Sequence, residues 1–474
     1  MRRRLALWLA GTCGLALALP AAAAAHGLVG RQDLPIPRWL FAWGAAVVLV
    51  VSFVALAVLW PRPRLEEAGG GRRLLAVPAV VDVLAGALGV AGFAAVVYAG
   101  LAGSQTPTAN LAPTVIYVLV WVGIPFASIL LGDVFRAVNP WRAVARAAAW
   151  LAGRASRGGA DALPAALDYP ARLGRWPAAA GILAFAWVEL VATNGSDPST
   201  LAILALLYAG AQLVGMSLFG IDRWSDNADA FGVYFGLFAS VAPLRRRGRV
   251  LEAVRPLSRT TQVAAVPGTV ALLCVAIGTT SFDGFSEGPT WSSIAPDLQT
   301  AFIDLGLTQE GALRLVFTLG LVAMVVLVAA FYRLGVAGMR SVDRGQGAGV
   351  LARRFAHSLV PIALAYVVAH YFSLLAYQGQ ATAYLASDPL GDGSDLFGTA
   401  ATAIDYSVVS ANGIWYVQVG ALVAGHVAGL VLAHDRALVT WREQRTAARS
   451  QYWMLLVMLG FTSLGLWLLS AGAA

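Results

Sequence analysis

Apolar residues run through this chain in long unbroken stretches. They show neither the alternation of a strand nor the one-sided stripe of a soluble helix. Ten stretches are long enough to cross a bilayer as helices, roughly 39–60, 75–101, 113–132, 177–193, 200–220, 262–280, 312–334, 357–378, 412–434 and 452–471. The polar segments between them are of two kinds. Those at 61–74, 133–176, 221–259, 333–356 and 435–451 hold 27 of the 33 arginines. That asymmetry marks a cytoplasmic face, so the pattern predicts ten spans with both mature termini outside.

Three segments depart from simple spanning. NPWRAVARAAAWLAGRASR, residues 139–157, carries its arginines on one face and predicts an interfacial amphipathic helix. FGVYFGLFASVAP, residues 231–243, is too short to cross easily and has cytoplasmic charge on both sides. It predicts a re-entrant or interfacial segment. The segments 281–311 and 379–411 are acidic and lack arginine, and read as long outer loops with room to build a site.

The N-terminus has its own pattern. Arg2 to Arg4 precede an apolar run from Leu5 to Leu19, then Pro20 and five alanines. This is the form of a secretory signal peptide over 1–25, cleaved after Ala25 to leave His26 first.

Composition narrows the class. Of 474 residues 59% are hydrophobic and 12% charged, with a mean hydropathy of +0.71. No soluble domain hides that much apolar surface. The chain therefore reads as an all-α polytopic integral membrane bundle, a single transmembrane domain over 26–474, with the lipid bilayer as its first partner. The 50 glycines suit helices packed closely through small residues. The net charge of +8 is all arginine spread over topology-setting loops, and does not point to nucleic acid. Cys13 lies in the leader and Cys274 in a span, so the mature chain has neither an internal disulfide nor a cysteine metal cluster.

Candidate chemistry is sparse. A mature N-terminal His26 would offer its α-amine and imidazole to a divalent metal such as copper or zinc, or stand solvated and idle. Asp283 and Glu287, in SFDGFSEGPTW with Trp291, are carboxylates four apart just beyond the sixth span. They fit a metal site or an acid/base pair, or an ordinary solvated loop. His370 lies thirteen residues into the eighth span, about 20 Å from its cytoplasmic end, with Tyr371 and Tyr377 nearby. His426 lies fourteen residues into the ninth, which runs the other way. The two histidines differ by about 10 Å in depth, so each is a separate metal candidate or a satisfied packing residue. Glu189 and Asp82 sit inside spans as pairing or proton-path candidates, and Arg314 is a partner for an outer carboxylate. His434-Asp435-Arg436 reads as the end and anchor of a helix. Walker A, G-x-S-x-G, H-E-x-x-H and C-x-x-C patterns do not occur.

Four stretches, AHGLVGRQDLPIPRWLFAW, GDVFRAVNPWR, SFDGFSEGPTW and YVQVGALVAGHVAGLVLAHDRAL, together resemble a group of bacterial, largely actinobacterial, membrane proteins labelled fenitrothion hydrolase. The resemblance spans most of the mature chain. It implies hydrolysis of a lipophilic organophosphorus triester by a membrane-embedded enzyme, metal-assisted or not. Such chemistry needs an activated water, a group to polarise the phosphoryl oxygen and an apolar pocket. Asp283, Glu287 and His370 would be the base or ligands. The dense His/Asp clusters of soluble metallo-phosphotriesterases do not occur here. Two other functions fit the residues: a permease for a metal or small solute, with His370, His426 and Glu189 along one path, and a copper-binding membrane protein using His26.

Overall fold

The computed structural model describes residues 38–67, 69–155, 166–441 and 443–471. The expected signal peptide and His26 lie outside the described residues. The chain opens with α1 (Arg38–Leu59), β1 (Arg72–Ala76), α2 (Ala79–Ala102), α3 (Leu111–Leu131), α4 (Val134–Val138) and α5 (Pro140–Ala155). There follow α6 (Trp176–Leu190), α7 (Pro198–Phe219), α8 (Ile221–Asn227), α9 (Ala230–Ala239), β2 (Leu244–Arg247), β3 (Val250–Ala253) and α10 (Thr269–Ser286). The C-terminal half holds α11 (Pro289–Asp304), α12 (Gln309–Val342), α13 (Ala348–Phe355), α14 (Val360–Gln378) and α15 (Ala381–Ser387). It closes with α16 (Ala411–Thr440), α17 (Gln444–Ser450) and α18 (Tyr452–Ala471).

Among the described residues seven helices are long and apolar enough to cross a membrane, against the ten spans expected. They are α2, α3, α7, α10, α12, the α13–α14 unit and α16. The expected span at 177–193 forms only the 15-residue α6, about 22 Å long and short of a ~30 Å hydrocarbon core. The multi-pass, helical membrane class stands.

Burial separates centre from rim. The most apolar window of α10 is 78% buried and that of α13–α14 likewise, whereas the window of α2 is 11% buried. The outer helices show bare valine and leucine, the surface that lipid covers. At the centre α14 and α16 pack backbone to backbone: a Cβ at Gly425 would fall 2.2 Å from Ala365 Cβ and 2.7 Å from the Pro361 carbonyl oxygen. Close approach through a small residue replaces the hydrophobic drive that helices lack in lipid.

Four expectations need correction. The segment 281–311 is not an open loop: α10 continues to Ser286 and α11 begins at Pro289. Ser281 and Asp283 lower the local hydropathy, but nothing breaks the helix before Gly288-Pro289, and Pro289 then starts the next one from its N1 position. The segment 379–411, expected as an outer loop, likewise carries the short α15. Residues 72–76, assigned to a loop and the start of a span, form β1. It joins β2 and β3 in a small antiparallel sheet of order β1-β3-β2. Its strands are too short and too arginine-rich to show a period of two. Finally, α16 does not end at His434 but runs on to Thr440.

Two further segments are helical. Ala230–Ala239 form the buried α9, whose ten residues span about 15 Å and are too short to cross. The segment 139–157 begins as α5, with Asn139 Oδ1 accepting the Arg142 amide at its start.

Candidate functional site

Asp283 occupies the last turn of α10 and is 3% exposed. A carboxylate there demands donors, because an unpaired polar group inside a bundle costs several kcal/mol, about 2 to 7. Two neighbours on α14 supply them. His370 Nε2 donates to Asp283 Oδ2 at 2.8 Å, and the Tyr371 hydroxyl donates to the same oxygen at 2.8 Å. The imidazole and phenol rings meet edge to face, 4.5 Å between centroids, so adjacent residues on one helix reach one acceptor. Gly284 makes room: a Cβ there would stand 3.4 Å from His370 Nδ1. The neighbouring Thr279 and Thr280 hydroxyls turn back to carbonyls of their own helix and take no part.

Glu189 lies half-buried on α6, which packs against α10, within electrostatic reach of Asp283 and of the Tyr117, Tyr234 and Tyr371 side chains. No ion pair involves Glu189 among the described residues. Tyr117 and Trp121 come from α3, whose stretch Thr114–Gly123 is π-helical over ten residues. Positions 117 and 121, four apart, share one face of it, as i and i+4 do on any helix of this kind. The Tyr117 hydroxyl donates to the Gly195 carbonyl at 2.6 Å. Trp121 stacks on Tyr234 of α9 with centroids 5.0 Å apart and planes 13° from parallel. The Trp121 indole reaches the Tyr371 hydroxyl, which ties this stack to the Asp283 centre.

The other sequence candidates fall elsewhere. Glu287 caps the C-terminal end of α10 and is half-buried. Trp291 does not line a polar site: it packs edge-on against Phe282, Phe285 and Phe317. That packing accounts for the aromatic content of the stretch. His426 is fully buried; its Nδ1 bonds to Leu422 of its own helix at 2.7 Å, while Nε2 has no partner. Its ring lies 6.2 Å from Tyr366, one turn before His370, so it stands beside the centre rather than in it. Among the described residues no three His, Cys, Asp or Glu side chains are grouped to hold a metal. His370 Nε2 is directed to Asp283, and both recorded bonds to Asp283 fall on one oxygen, so the pair does not form a ligand cage. Asp82 pairs with Arg246, and Arg314 pairs with Glu310 at 2.5 Å.

Two further carboxylates are fully buried. Asp435 accepts from Trp60 Nε1 and from the backbone amides of Arg64, Leu65 and Glu66, at 2.7 to 3.0 Å. Arg436 beside it binds Glu66, and His434 Nε2 meets the Trp60 carbonyl at 3.2 Å, so this triplet anchors α16 to the chain after α1. Asp229 accepts from Asn139, Trp141, the Tyr208 hydroxyl and the Gly232 amide. The Asn-Pro-Trp sequence thus has a structural job: it ties the start of α5 to the cap of α9. Comparison with protein-family models, curated proteins and solved structures finds no match to the chain.

Proposed function

We propose that the protein is a proton-handling membrane permease, with the Asp283–His370–Tyr371 centre as its proton-exchange site. The observation that carries this reading is the identity of the donors. Asp283 is held by an imidazole and a phenol, both able to pass a proton on, in the most buried pair of helices. Ionisable groups inside a bundle are costly, and their usual use is a proton or substrate path. Glu189 on the neighbouring α6, within electrostatic reach of Asp283, is the group through which protons would reach the pair.

The chemistry follows from the hydrogen bonds. An ionised Asp283 accepts both donors and clamps α10 to α14. A proton delivered to Oδ1 turns Oδ2 into a neutral carbonyl oxygen, a weaker acceptor, so the bonds from His370 and Tyr371 both loosen. Protonation then biases the joint between the two central helices, and such a bias is what couples proton uptake to a change of shape. A small solute is the cargo this bundle would carry. The arginine-bearing end would face the cytoplasm.

A second reading rests on the same pair. With the Nε2 proton directed at Asp283, Nδ1 is the basic nitrogen of His370, and a carboxylate-oriented imidazole is a general base. A water beside Nδ1 would give that nitrogen its proton and attack the phosphorus of a lipophilic triester, breaking the bond to the aryloxide that leaves, as the resemblance to fenitrothion hydrolases implies.

One experiment separates the two. Purified protein in liposomes carrying an internal pH dye is given a potassium-diffusion potential, and a nitrophenyl phosphorothioate triester is assayed alongside. The permease reading expects proton flux in the wild type, reduced at least tenfold in Asp283→Asn and His370→Gln. Wild-type flux in both variants would sink it. Nitrophenolate release that His370→Gln abolishes, without any proton flux, would select the hydrolase.

A further inference from the structure

The arginine-rich end carries a feature that the proton site does not use. The sheet formed by β1, β2 and β3 sits at the mouth of α2: β1 ends two residues before that helix begins, and Arg246 of β2 pairs with Asp82 in its first turn. The amphipathic α5 and the end of α4 lie against the following turns of α2. A Cβ at Gly86 would stand 3.0 Å from Ala143 Cβ of α5, and one at Gly89 would fall within 1.7 Å of the Val138 carbonyl oxygen at the end of α4. Sheet and helix therefore both sit on the N-terminal half of one apolar helix long enough to span.

This surface is positively charged beyond its internal pairing. Glu252 is taken by Arg245 and Asp82 by Arg246. Arg72, Arg73, Arg247, Arg249 and Arg146 are exposed and form no ion pair among the described residues. Arg146 of α5 and Arg249 of the β2–β3 turn both lie within electrostatic reach of Asp82, which Arg246 of β2 holds directly. Apolar side chains stand among them: Leu74 is 46% exposed, Leu75 54% and Trp150 45%, the last with the Arg154 guanidinium stacked 3.9 Å above its ring. A soluble face would have no use for that mixture. A leaflet surface takes both parts, phosphates on the arginines and acyl chains on the leucines and the indole.

We infer that the three-stranded sheet and α5 form a binding surface for anionic phospholipid headgroups of the leaflet they face. The occupant is a phosphodiester lipid. Planar guanidinium groups match its oxygens in pairs, and net charge on the headgroup is what the unpaired arginines lack. The inference is independent of the permease reading, since none of these residues touches Asp283, His370 or Glu189.

The test uses the whole protein in dodecyl maltoside, titrated with phosphatidylglycerol or phosphatidylcholine. Bound lipid is counted by mass spectrometry and the unfolding temperature is followed. The wild type should bind phosphatidylglycerol in preference and be stabilised by it. An arginine at a lipid surface is worth about fivefold in affinity, so Arg146→Gln/Arg247→Gln/Arg249→Gln should lose on the order of 100-fold. The matching triple lysine variant should keep most of it. Replacing Leu74 and Leu75 by serine should weaken binding of the lipid but not of free glycerol phosphate. Equal binding of the two lipids by the wild type, or an undiminished preference in the glutamine variant, would overturn the inference. Should the glutamine variant fail to fold, 0.5 M salt serves instead: it must weaken phosphatidylglycerol binding to the wild type, and an unchanged affinity would overturn the inference equally.

Discussion

Asp229 and Asp435 near the arginine-rich end differ from Asp283 at the centre in what holds them. All three carboxylates are at most 3% exposed. Each of the first two is satisfied by four donors. Apart from the Tyr208 phenol on Asp229, these are backbone amides and the indole or amide groups of Trp60, Trp141 and Asn139, which do not exchange a proton readily, and neither carboxylate has an imidazole donor. Asp283 has two recorded donors, both titratable and both on one oxygen. The first arrangement is that of a rivet and the second that of a switch. Burial alone does not distinguish them; the chemistry of the donors does.

The comparison breaks first at Asp435. Asp435→Ala would strand three amides and an indole around an empty position, at a cost of about 3 to 5 kcal/mol, read as a lowered midpoint in denaturant unfolding. An unchanged midpoint would mean that the anchor holds nothing. Trp141→Phe is gentler. It removes one of the four donors to Asp229 and should cost about 2 kcal/mol, with α5 loosened in hydrogen exchange. Asp283→Asn keeps the shape and one acceptor oxygen, so stability should shift by less than about 1 kcal/mol while proton flux is lost. Equal instability of Asp283→Asn and Asp435→Ala would erase the distinction.

The smallest effect lies in the segment after α15. The Ser387 hydroxyl and the Ala400 amide hold the Asp395 carboxyl below its ordinary value of 3.8. A depressed folded value means that this contribution to local order is present above pH 3.8 and is lost as the pH falls through the lower, folded value. Acidification should therefore raise amide exchange around residues 395–400, and Asp395→Asn should remove that acid response.

How much of this was legible beforehand follows from the range of each signal. Apolar runs are local, so most spans and the asymmetric arginines could be read directly. His370 and Asp283 were both named, yet as residents of a span and of an outer loop. Their meeting joins positions 87 residues apart, which no local pattern encodes. The same holds for Asn139 and Asp229, 90 apart, so the Asn-Pro-Trp sequence looked only like the opening of an interfacial helix. The π-helical stretch of α3 has the composition of any span, which hid Tyr117 and Trp121. His426 shows the reverse case: a histidine in a span reads as chemistry, but this one bonds chiefly to its own helix.

The most direct test measures proton flux in liposomes and the unfolding midpoint on the same preparations of Asp283→Asn and Asp435→Asn. The account predicts opposite outcomes: Asp283→Asn keeps its midpoint and loses flux, while Asp435→Asn loses stability and keeps flux per folded molecule. Wild-type flux in Asp283→Asn, or parallel losses in both variants, would contradict it.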